Sequence, residues 1–221
     1  MRKKFGRQIG RMAKMTLGVC LAASMVVGSV GSGAVPYIGM VEDVYAGDEL
    51  TYMVGESTYK YVVNDNGETC EITGYEGSDT EIKIPDEIDG KSVTIIGESA
   101  FDDCSSLTSI EIPSSVTQIG IGLFKGCSSL SSIKVDKENE KYDSRENCNG
   151  IIETSSNTLI CGISNTKIPA SVTSIRDGAF EGCSSLTSIE IPSGVTRIGD
   201  MVFVGCSSLT SIELPSSVNA Q

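Results

Sequence analysis

The sequence predicts a repeat solenoid, mainly β, built from units of about 23 residues joined by short irregular or helical returns. Three observations predict it. "CSSLTSIEIPSSVTQIG" at Cys104–Gly120 returns at Cys183–Gly199 as "CSSLTSIEIPSGVTRIG", with two changes in seventeen residues. Marker residues recur 23 apart: Pro169, Pro192 and Pro215; Phe101 and Phe124; Phe180 and Phe203; Cys104 and Cys127; Cys183 and Cys206. A fixed period in this range marks stacked units, each too small to bury its own apolar face. Within a unit, L-x-x-I-x-I sets its last apolar residues at alternate positions before a proline. A short strand with one buried face requires that pattern.

The first element, residues 1–46, stands apart from the repeats. Arg2, Lys3, Lys4, Arg7, Arg11 and Lys14 form a basic start, and an uncharged apolar run covers Met15–Met40. Val44-Tyr45-Ala46 then supplies a small-x-small cleavage site. This order reads as a secretory signal peptide, so contact with a membrane is expected only through that segment. The segment holds six of the 17 Lys+Arg and two of the 29 Asp+Glu, so its removal leaves 11 against 27 and a net charge of −16. Such a surface repels nucleic acid and anionic lipid.

Six rungs follow, ending at Ile84, Ile112, Val135, Ile168, Ile191 and Leu214. Pro85 and Pro113 are 28 apart, so the first unit holds five extra residues, Asp86–Gly90. Val135 and Ile168 are 33 apart, so the third unit holds ten more. Proline closes a strand because it has no N–H for the next rung. Gly120 and Gly199 permit a turn after the V-x-x-I segment. Phe fills the space between layers. The chain ends within a repeat, at "SIELPSSVNAQ". The C-terminal end is therefore expected to be uncapped and open to self-association.

The motifs "LTSIEIPSSVTQIG" and "GAFEGCSSLTSIEIP" resemble those of the BspA-like leucine-rich repeat family of bacterial surface proteins. "YDSRENCNGIIETSSNTLICGISNTKIPASVTSI", from Tyr142 to Ile175, resembles the hairpin that the family inserts between ordinary rungs. The stretch Tyr59–Phe101 resembles the family's usual lead-in to the array. The resemblance covers about Tyr59–Val218. It implies an N-terminal β-hairpin cap over 47–80, a leucine-rich repeat solenoid over 81–221 and a hairpin insertion near 137–166. Leu123 and Val202 depart from the family's preference for Ala before Phe.

The chemistry-bearing residues exclude several classes. There is no His, which removes Ser-His-Asp and Cys-His catalysis and the usual zinc sets. "DSRENCNG" has Arg145 where a calcium loop needs Asp. No catalytic residue, cofactor or metal site is expected. Cys104, Cys127, Cys183 and Cys206 recur at an apolar position and read as a ladder of buried thiols. Cys148 and Cys161 flank "IIETSSNTLI" and are candidates for a bridge.

Candidate binding residues come from two places. Lys83, Glu111, Lys134, Lys167, Glu190 and Glu213 stand two residues before the proline that closes each rung strand, or before Asp136 in the third, and so share one outward column. They offer a polar stripe. They are also placed to pair across strands, as Lys83–Glu111, Glu111–Lys134 and Lys167–Glu190. Tyr142 with Arg145, in the insertion, is the other choice, because Tyr and Arg are common anchors. The alternative is that Tyr142 packs the insertion onto the solenoid. The expected function is non-enzymatic recognition by a secreted or cell-surface bacterial protein, with an extracellular protein ligand and adhesion as the use the family resemblance implies. The alternatives are an envelope structural component, a fragment of a longer array, or a carbohydrate-binding module dependent on Tyr142.

Overall fold

The polypeptide starts its folded part as an antiparallel meander. β1 (Glu49–Val54), β2 (Ser57–Val63) and β3 (Thr69–Glu76) pair in order. A computed structural model gives this fold and describes residues 47–218. The signal-peptide reading falls on 1–46, outside the described residues. Tyr59, Tyr61, Cys70 and Ile72 alternate along β2 and β3 and are buried, as strands with one covered face demand.

Short strands follow: β4 (Glu81–Lys83), β5 (Glu87–Ile88), β6 (Lys91–Ile96), β7 (Ser109–Ile112), β8 (Gln118–Ile119) and β9 (Ser132–Val135). They stack into two parallel columns. In the first, β4, β7 and β9 set Ile82, Ile110 and Ile133 opposite one another. In the second, β3 pairs with β6 and β6 with β8. β5 lies within the five extra residues of the first unit and folds back on β6. Phe101 and Phe124 stack between rungs with centroids 6.2 Å apart, and Phe180 and Phe203 do so at 5.6 Å. This is the mainly β solenoid that the 23-residue period predicts.

The insertion adds β10 (Tyr142–Asp143), β11 (Gly150–Glu153) and β12 (Thr158–Gly162), paired antiparallel. β12 then pairs parallel with β13 (Ser174–Ile175), and β13 with β14 (Arg197–Ile198), resuming the second column. The β11–β12 hairpin is buried on both faces. Ile151 and Cys161 pack into one apolar cluster, while Ile152 and Leu159 pack into another. That is why "GII" and "LICG" are continuous apolar runs and not alternating ones.

One expectation, a first-column strand in every rung, is corrected, and the rungs hold a second strand. The V-x-x-I segment, to which the repeat pattern gave no element, is a strand of its own, in β6, β8, β13 and β14. Its backbone pairs between rungs: Thr117 N–H donates to Thr94 O at 2.9 Å and Gly120 N–H to Ile96 O at 2.8 Å. The rungs ending at Ile168, Ile191 and Leu214 carry no strand in the first column. At the first of these, Thr166 occupies the inward apolar position, and its hydroxyl donates to Asn149 O at 2.5 Å and accepts from Ile163 N–H at 2.7 Å. The hairpin's backbone has taken the place of a neighbouring strand. The returns are turns. Among the described residues the one helical segment is a 3-10 turn at Arg145–Asn147, within the insertion.

The insertion leaves the outer edge of β8 without a strand partner, and side chains replace it. Tyr142 Oη donates to Thr117 O at 3.3 Å. Arg176 donates from one terminal nitrogen to Ile119 O and from the other to Gly120 O, both at 2.7 Å. Asn139 Nδ2 donates to Pro113 O at 2.8 Å and Val116 O at 3.0 Å. Arg176 stands where other rungs have Gly97, Gly120 and Gly199. At those positions the rungs are in contact: a Cβ at Gly120 would lie 2.3 Å from Glu98 N, and one at Gly199 2.5 Å from Asp177 N. Only the rung after the insertion has room for a side chain, and Arg176 uses it to reach back across the gap.

Candidate recognition face

The first column fixes an outward surface. Along β4, β7 and β9 the inward isoleucines are buried, so the residues between them point out. Cα partners run Glu81–Ser109–Ser132 and Lys83–Glu111–Lys134. Lys83 Nζ lies 3.0 Å from Glu111 Oε1. That carboxylate holds the Lys83 ammonium above its ordinary value. Lys83 is exposed and Glu111 half-buried at the surface, so solvent screens the pair and it contributes little to stability. The expected second pair is not formed: among the described residues no ion pair involves Lys134, although Lys134 sits beside Glu111 in the sheet. Lys134 is exposed and available.

The column does not continue as a single stripe. Lys167 is exposed, and its backbone N–H donates to Cys148 O at 2.9 Å. Asn165 Nδ2 donates to Ser131 O at 2.8 Å, which seats this segment against the edge of β9. Glu190 and Glu213 are exposed, but they lie on segments without strand pairing. The expected Lys167–Glu190 ion pair is absent from the described residues. Sheet register therefore brings together Lys83, Glu111 and Lys134, and leaves Glu190 and Glu213 outside it.

The second candidate is corrected. Tyr142 is 5% exposed, with its ring in the core and its hydroxyl on Thr117 O. Burial pushes its phenol up. It offers no surface to a partner. Arg145 is committed within the insertion: Nε lies 2.8 Å from Asp143 Oδ1, one terminal nitrogen 2.6 Å from Asp143 Oδ2, and the other 2.8 Å from Asn157 Oδ1. Beside the insertion, Ser114, Val116, Thr117, Glu138, Asn139, Glu140 and Lys141 line a shallow hollow of about 430 Å³ that sequence reading did not find. No pattern in the sequence marks it, because its walls come from two rungs.

Among the described residues the seven cysteines are all thiols. Cys148 and Cys161 do not bridge, because Cys148 packs in one apolar cluster and Cys161 in the other, on opposite sides of the hairpin. Cys127 and Cys206 are buried, and Cys104 and Cys183 are half-buried. Among the described residues no group of three or more His, Cys, Asp or Glu is arranged to hold a metal ion. No described helix is long and apolar enough to cross a membrane.

A family model for the BspA type leucine rich repeat region matches this chain in six copies, over residues 75–159 and 151–220. The chain belongs to the BspA type leucine rich repeat family. Proteins of this kind are, in general, non-enzymatic binding scaffolds. Among solved structures, the chain is similar to a leucine rich repeat protein of T. pallidum, with 29% identity over 73% of this chain and 60% of that one and a TM-score of 0.40. It is similar to a leucine rich cell surface protein from Faecalibacterium prausnitzii A2-165, with 27% identity, 74% and 54% coverage and a TM-score of 0.42. A leucine-rich repeat protein from Eubacterium ventriosum gives 19% identity, 78% and 68% coverage and a TM-score of 0.46. The chain thus spans 60% and 54% of the lengths of the first two. No curated protein matches.

Proposed function

We propose that the chain is an exported bacterial recognition module that binds an extracellular protein through the outward face of β4, β7 and β9. The observation that carries this reading is the in-register row Lys83–Glu111–Lys134 on a buried isoleucine ladder. A parallel ladder holds side chains at a fixed spacing of roughly 4.8 Å, so a partner meets a pre-ordered polar surface and loses little freedom in fitting it. Lys134 supplies an exposed cation free of any ion pair on an otherwise acidic chain. Use in adhesion, and an address outside the cell, go with the basic start and apolar run of residues 1–46 and with family membership. The test is binding of the full chain to a panel of extracellular-matrix proteins, mucins and glycans, with oligomeric state measured in the same sample. Saturable binding to one protein by the monomer supports the reading. Glycan binding without protein binding would overturn it.

A second reading, edge-to-edge self-assembly, is favoured by one observation. Met201, Val204 and Leu214, in the last two rungs described, are 61%, 51% and 57% exposed. Concentration-dependent assembly in the same sample, with no ligand bound, would select it.

A further inference from the structure

We propose that Cys104 and Cys127 are a redox-modifiable pair, in which Cys104 attacks a small-molecule disulfide and Cys127 resolves the product into a bond between two successive rungs. The proposal is independent of the recognition role.

Geometry brings the two residues together. Asp103 N–H donates to Lys125 O at 2.8 Å, and a Cβ at Gly126 would lie 3.1 Å from Asp103 Cα. The next residues along, Cys104 and Cys127, are therefore stacked neighbours. Adjacent rungs lie roughly 4.8 Å apart, within the Cα separation that a disulfide spans. Cys104 is half-buried and reachable; Cys127 is 9% exposed. The Cys127 thiol donates to Phe101 O at 3.0 Å and neighbours Cys104 across the rung stack. A reachable thiol beside a buried second thiol is the arrangement of a sulfur that reacts first and a sulfur that resolves.

The repeat supplies its own control. Cys183 and Cys206 occupy the same positions one duplication later and stack the same way, with Gly182 N–H donating to Val204 O at 2.8 Å. Cys206 Sγ likewise donates to Phe180 O, at 3.1 Å. The first thiol of each pair differs. Cys183 Sγ donates to Gly162 O at 3.5 Å, a carbonyl of the inserted hairpin. Burial, with Cys161 and Cys206 nearby, pushes Cys183 far up. The adjacent Cys127 thiol holds Cys104 below the ordinary thiol value, against burial and the charges of Asp102 and Asp103. Tyr75 and Cys161 are the other titratable groups beside this pair. Two sequence-equivalent thiols thus sit in different surroundings, Cys183 on a hairpin carbonyl and Cys104 beside its buried partner.

The chemistry balances. The Cys104 thiolate attacks one sulfur of RSSR, and RS⁻ leaves and takes up the proton that Cys104 gave to solvent. Cys127 then loses its proton, attacks Cys104 Sγ and expels the second RS⁻, which is protonated in turn. Two protein thiols lose two electrons, and one external disulfide becomes two thiols.

The test uses the full reduced chain. Limiting iodoacetamide at pH 7, read site by site by mass spectrometry, should label Cys104 at least about tenfold faster than Cys183. Oxidised glutathione should give a linked Cys104–Cys127 peptide in the natural chain. In Cys127→Ser it should stop at glutathione on Cys104. Equal labelling of Cys104 and Cys183 would overturn the proposal. So would a natural chain in which glutathione stays on Cys104, or in which Cys104 links to any other cysteine. The two readings on the natural chain decide the matter if the variant does not fold.

Discussion

Arg176→Met tests how the solenoid survives its insertion. The substitution keeps an apolar stem and removes the two donors that hold Ile119 O and Gly120 O at 2.7 Å. A hydrogen bond from a charged donor is worth about 1.5–3 kcal/mol, so the gross loss is about 3–6 kcal/mol. Some of this is offset. The guanidinium is poorly solvated, which lowers its basicity, and its Nε is buried without a partner. Relief of that desolvation leaves a net cost of about 2–4 kcal/mol. With a urea slope of about 2 kcal/mol per M, the unfolding midpoint should fall by about 1–2 M. Arg176→Gly, which restores the residue found in the other rungs, should be at least as harmful. A midpoint shift below about 0.5 M for both would refute the idea that Arg176 replaces a missing strand.

Other perturbations follow from the same contacts. Gly120→Ala places a Cβ 2.3 Å from Glu98 N and should cost about 1–3 kcal/mol by thermal unfolding, with no loss marking the rung contact as looser than described. Leu159→Ala empties a fully buried site on the inserted hairpin and should cost about 2–5 kcal/mol in urea. Ser57 and Tyr75 donate to Asp79 Oδ2 at 2.6 and 2.7 Å and hold that carboxyl below its ordinary value. Its stabilising contribution is therefore full above the unfolded value of 3.8 and is lost as pH falls through the lower folded value. Asp79→Asn should show a shallower loss of stability between pH 6 and acid than the natural chain, and an unchanged slope would remove Asp79 from the account.

Much of the fold was legible because stacking imposes identity. A residue that must fit its copy one rung away cannot vary freely, so Ile82, Ile110 and Ile133, or Phe101 and Phe124, announce the core by recurrence alone. The second column was harder to read. Val116 and Ile119 are three apart, a spacing that does not alternate, and their strand is defined by backbone pairing with the rung before. The loss of strand pairing after the insertion depends on Thr166 and the hairpin backbone, which are long-range neighbours. Tyr142 shows the limit for sites: an aromatic residue in an insertion has the same letter whether it packs inward or waits for a partner. Arg176 did leave a signal, as the one large residue in a column of glycines, but its meaning requires the gap that it spans.

The Lys83–Glu111–Lys134 row is the face proposed to meet the partner. The most direct measurement is the Kd of full-length natural chain and Lys134→Glu for whichever panel protein binds, with both confirmed as monomers. A charge reversal in the contact should weaken binding about fivefold or more, with the loss shrinking as salt rises. Equal affinities for the two chains across the salt range would contradict the claim and move the binding surface elsewhere on the solenoid.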